Sequence, residues 1–73
     1  MKTATIQIYP LFQANGYGAR MLYRGQCLRS ATMADKREAI AFMRNAAKID
    51  GFTHAKFYEE NHWGKVENYS VKF

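Results

Sequence analysis

Two histidines, one cysteine and an adjacent pair of glutamates are the side chains through which this sequence would carry out nucleophilic, acid–base or metal chemistry. Their spacing argues against each. Zinc needs several His, Cys or carboxylate ligands at ligand spacing; His54 and His62 have no such companion, and a single cysteine cannot build a structural zinc site. Cys27, beside Leu28 in a short strand, reads as a small core residue rather than a nucleophile served by a histidine base. Glu59 and Glu60 are neighbours, so in a strand they point to opposite faces and cannot work as a carboxylate pair. The run Gly16 to Arg20, GYGAR, has too few glycines for a phosphate loop and leads into a strand, not a helix. The expectation is a protein that is not an enzyme, with no metal and no cofactor.

Cations interleaved with aromatic rings offer a different chemistry, since cations neutralise phosphates and flat rings stack on bases. One such set is Arg20, Arg24, His54, Lys56, Tyr58 and Lys72, which alternate with apolar partners along strand-like segments. A second is a stripe of Arg37, Arg44 and Lys48, which fall within roughly 40° of one another on a helical wheel. Arg44 and Lys48 are like charges four apart, which slightly disfavours a helix. Either set is also what an ordinary solvated face looks like. Trp63, in the turn Glu60 to Gly64, reads either as an exposed binding anchor or as a lid folded over a small core. Tyr17, between two glycines, poses the same choice at the other loop.

These residues must be positioned by short elements. Asp35 to Gly51 has a clear helical period. Asp35 is a capping residue with Glu38 three positions on, Lys48 lies in the last turn, and Gly51 supplies a left-handed stop. Ala39, Ile40, Phe42, Met43, Ala46 and Ala47 share one half of that helix, with Ile49 at its edge. Thr3 to Tyr9 alternates as a strand with Ala4, Ile6 and Ile8 on one side, and Pro10 ends it or marks an edge. Gln13 to Gly18 is a turn or loop. Ala19 to Arg24 and a short Cys27 to Ser30 flank Gly25-Gln26 as a hairpin. The facing of the first of these is open, because Ala19, Met21 and Tyr23 compete with Leu22 for the core. After the helix, Thr53 to Glu59 and Val66 to Phe73 form a second hairpin.

The sequence therefore predicts one α+β domain spanning residues 1–73, an antiparallel sheet of four to five strands in the order β-β-β-α-β-β with one helix packed on one face. Ile40, Phe42, Met43 and Ala47 are expected against Ile6, Ile8, Phe57 and Val71. With a single helix, the other sheet face stays open to solvent or to a partner.

Composition narrows the partner. Seventy-three residues barely suffice for one core, and the 15% aromatic content helps because each ring buries much area. Eleven Lys and Arg against six Asp and Glu give a formal charge of +5, favouring an acidic partner. A lone cysteine and an N-terminus lacking a signal-peptide pattern lead to a cytoplasmic expectation, and no apolar run is long enough to span a membrane.

In size, basic charge, single helix and surrounding strands the chain resembles small phage or prophage proteins, among them anti-CRISPR inhibitors. The likeness covers the layout of the whole chain and carries no functional residues over. It implies a compact domain that occupies a surface of an RNA-guided effector complex and blocks its access to DNA. Around Glu38-Ala39-Ile40 the chain also resembles small domains with a hairpin before such a helix. The leading expectation is thus a non-enzymatic binding protein of phage type engaging a nucleic-acid-handling complex. A direct DNA- or RNA-binding module is the second reading, and a homodimer through the open face or a strand edge is the third.

Overall fold

Among the described residues, alternating side chains do produce five strands around one helix. In chain order these are β1 (Thr3–Pro10), β2 (Tyr17–Tyr23), β3 (Gln26–Met33), α1 (Lys36–Ile49), β4 (His54–Glu60) and β5 (Val66–Lys72). The computed structural model describes residues 2–12 and 15–73, so Gln13, where the sequence places the start of a turn, lies outside the described residues. All strands join one sheet in the order β3-β2-β1-β4-β5. Pairing is antiparallel except between β1 and β4, which run parallel. The helix explains that exception. It carries the chain back across the sheet after β3, so β4 re-enters beside β1 and in its direction, as a crossover connection requires.

Local signals set the ends of the helix. The Asp35 carboxylate accepts a hydrogen bond from the Arg37 N–H at 3.0 Å, and Gly51 adopts a φ of +84° past the last turn. Two ion pairs then pin the helix to opposite halves of the sheet. Lys36 Nζ lies 2.9 Å from Glu59 Oε1 on β4, and Arg29 on β3 grips both Asp50 oxygens at 2.9 and 2.8 Å.

Helix and sheet meet through small residues. Ala39, Ala46 and Ala47 of the helix and Ala4, Ala19 and Ala55 of the sheet are all buried, with Ile6, Ile8, Met21, Met43 and Phe57 as the bulk of the core. Alanines on both surfaces allow close approach, so the covered arc of the helix is narrower than its apolar half. Here one expectation fails: Phe42 is 42% exposed, because it sits on the flank of an arc centred on Met43, as does Ile49, read at the edge of the apolar half and 71% exposed. Val71 and Ile40 are half-buried against the core rather than fully enclosed.

The first hairpin also differs from its reading. Arg24 and Gly25 both have positive φ, 51° and 80°, which makes them the two central residues of the turn, one position earlier than Gly25-Gln26. β3 extends to Met33 instead of stopping at Ser30, and Leu28 is an extra residue where the pairing steps from Met21↔Arg29 to Leu22↔Cys27. Such a bulge interrupts an edge strand. It also leaves Cys27 exposed, not in the core, since among the described residues no layer covers the sheet opposite the helix and its partner Leu22 faces that side.

Candidate functional site

Register decides which side chains share the uncovered face. Thr5↔Leu22 and Gln7↔Arg20 pair across β1 and β2, while Thr5↔Lys56 and Gln7↔Tyr58 pair across β1 and β4. Residues directly opposite one another point to the same side. With Ala19 and Met21 buried under the helix, Arg20 and Leu22 point away from it, which settles the facing of β2. Lys56, Tyr58 and Glu60 follow on β4, and His54↔Lys72 completes a row at the other end.

The open face thus gathers Arg20, His54, Lys56, Tyr58 and Lys72, as expected, and excludes Arg24, which the turn draws over the Tyr23 ring at 5.3 Å. It adds two residues that sequence reasoning left aside, Tyr9 and Gln7. Both alternate with Ile6 and Ile8 on the polar side of β1, so the signal was present, but nothing local tied them to Arg20 or Tyr58.

Cations and rings are already paired on this surface. The Arg20 guanidinium lies 5.7 Å from the Tyr9 ring centroid, and Lys56 Nζ lies 5.4 Å from that of Tyr58. Arg20 Nε donates to Gln7 Oε1. The Tyr9 ring packs over Gly18, its partner across the pair, and a Cβ at Gly18 would collide with the ring. Between these groups the twisted sheet forms a depression of about 590 Å³, lined by Gln7, Tyr9, Arg20, Tyr58, Glu60 and Val66. That is within the roughly 300–1,000 Å³ of pockets that take small organic ligands.

The remaining site residues lie elsewhere. Arg37, Arg44 and Lys48 are exposed on the helix, on the opposite side of the sheet. Lys48 Nζ sits 5.8 Å from the Phe73 ring. Trp63 is 92% exposed, so it is not a lid. The Asn61 side chain accepts from the N–H groups of Trp63 and Lys65 at 2.9 and 3.0 Å, fixing the turn that holds the indole outward. Tyr17 belongs to β2 and is half-buried, its hydroxyl 3.3 Å from His62 Nε2, which places the β4–β5 turn beside the start of β2.

Carboxylates divide between the faces. Burial pushes the Glu59 carboxyl up, but hydrogen bonds from the Tyr69 hydroxyl and the Lys36 ammonium outweigh it and hold the group below its ordinary range. Tyr69 is raised in turn, by burial first and then by Glu59. Glu60, one residue on, faces the open side. Among the described residues no group of three or more His, Cys, Asp or Glu could hold a metal ion, and no helix is long and apolar enough to cross a membrane. No family model, curated protein or solved structure matches the chain.

Proposed function

We propose that this chain is a non-catalytic binding module whose open sheet face takes single-stranded nucleic acid. The observation that carries the reading is one sheet face on which Tyr9, Tyr58 and Arg20 line a depression and Lys56 and Lys72 lie beyond it on the same side. Rings stack on unpaired bases while the cations meet phosphates, a combination that a duplex, with its bases already stacked, cannot use. Three strand spacings separate β2 from β5, about 14 Å, so the cations flank a track rather than a point.

Fluorescence anisotropy with a labelled single-stranded oligonucleotide, repeated over a range of NaCl concentrations, tests this. Three phosphate contacts give a slope of log K against log salt of about −2, near 0.7 per contact. A salt-independent or absent interaction would count against it.

A second reading has its own observation. Trp63, held outward by the Asn61 turn, and Phe12, 80% exposed, are large apolar side chains in solvent. Exposed aromatics suit a protein partner, and they support an inhibitor of phage type that docks on a nucleic-acid-handling complex. Capture of one such complex by the wild-type protein but not by Trp63→Ala, together with weak binding to free oligonucleotide, would favour this reading over the first.

A further inference from the structure

We infer that the depression on the open face is a pocket for an unpaired guanine, an inference that rests on the nucleic-acid reading above. Its walls carry opposite charges. Arg20 stands on β2 and Glu60 at the end of β4, with Gln7, Tyr9, Tyr58 and Val66 around them. Glu60 is not in either ion pair found among the described residues, Arg29–Asp50 and Lys36–Glu59. A carboxylate on that wall repels phosphate, so the backbone of a bound strand runs over Lys56 and Lys72, and what enters the depression is a base.

Hydrogen-bonding capacity then selects the base. An ionised carboxylate only accepts, and does so best from two donors side by side. Guanine alone among the common bases offers that pair, N1–H next to the N2 amino group, and carries acceptors O6 and N7 on its adjoining edge. Arg20 is suited to those acceptors. Its Nε is engaged by Gln7 Oε1, which orients the guanidinium and leaves the terminal amino groups as donors. Thymine or uracil would turn carbonyl oxygens toward Glu60. Adenine and cytosine would each present one amino group beside a ring nitrogen that is itself an acceptor. The Tyr58 and Tyr9 rings supply stacking surface to any base and so give affinity rather than choice.

The test uses labelled oligothymidine about eight nucleotides long, with the central position unchanged or replaced by guanine, inosine, adenine or cytosine. Guanine is expected to tighten binding about tenfold, the range of one good bidentate contact. Inosine, which lacks the N2 amino group, should lose most of that gain. In Glu60→Gln the guanine gain should disappear, while binding of plain oligothymidine holds or improves as the repulsion of phosphate is removed. Circular dichroism melting confirms that the variant folds. Equal affinity for every wild-type pairing, or a guanine gain that survives Glu60→Gln, overturns the guanine pocket and leaves the nucleic-acid reading standing. Absence of binding to all five oligonucleotides by folded protein overturns both.

Discussion

Phe57 and Tyr58 are chain neighbours of similar size, and the sheet sends them to opposite fates. Phe57 is fully buried under the helix, stacked 5.1 Å from Tyr69 with the rings nearly parallel. Tyr58 lies on the open face beside Lys56 and the depression. One ring holds the fold together, while the other stays on the uncovered face. The same contrast separates the two basic surfaces. Cations on the helix project from a convex cylinder, where Lys48 sits 5.8 Å from the Phe73 ring, whereas Arg20 on the sheet lines a concavity with two tyrosines. On the reading proposed above, charge beside an accessible ring in a depression, rather than positive charge alone, marks the site.

The sharpest way to break this contrast is to truncate both rings. Phe57→Ala should cost about 3–5 kcal/mol, a large part of the roughly 5–15 kcal/mol available to a small domain. Tyr58→Ala should shift a denaturant melt by less than about 1 kcal/mol yet weaken oligonucleotide binding by about 1–3 kcal/mol. Comparable loss of stability in both variants would mean that the two faces are not distinct.

Next in size is the combined replacement of Arg20, Lys56 and Lys72 by Gln. Binding should fall at low salt, and the salt slope should flatten by about two units. Gly18→Ala is subtler. Its Cβ displaces the Tyr9 ring, so affinity should drop while the helix-facing core and its melting transition change little.

Acid provides a probe of the covered face. Glu59 and Asp50 are both held below their ordinary values, Glu59 by Tyr69 and Lys36 against the opposing effect of burial, and Asp50 chiefly by the Arg29 hydrogen bond. A depressed carboxylate contributes stability that is present above its unfolded value and is lost as pH falls through its folded one. Melting temperature should therefore decline as pH falls through and below the ordinary carboxylate range, and Glu59→Gln should make that decline shallower. The smallest effect is expected from replacing Arg37, Arg44 and Lys48 by Gln, which removes a like-charge pair and should leave oligonucleotide binding nearly unchanged and stability equal or slightly higher. A large loss of binding there would move the site to the helix.

Much of this arrangement was legible in the chain. The helix declared itself through Asp35 and Gly51, because capping depends on a few adjacent backbone groups. Strand faces such as Ile6 and Ile8 against Gln7 and Tyr9 followed from the two-residue pleat. Phe42 misled because a helical wheel gives an apolar half without saying how much of it a five-stranded sheet will cover. Cys27 misled because its burial depends on which layer lies opposite, and the turn slipped to Arg24-Gly25 because an arginine just before a glycine can also enter the left-handed region when the flanking strands require it. Glu60 was assigned to a turn, and only its pairing with Val66 keeps it in β4.

By itself, then, the sequence determined the kinds of element, their order, the capping of the helix and the excess of positive charge, all of which depend on neighbours within a few residues. The tertiary structure decided that β4 lies parallel to β1, that Arg20 turns away from the helix, and that Gln7 stands between Arg20 and Tyr58. Those are matters of register between segments far apart in the chain. Register is fixed by the summed packing of Ile6 against Met21 and Phe57 and of Ala19 and Ala55 beneath the helix, a sum that no local pattern contains.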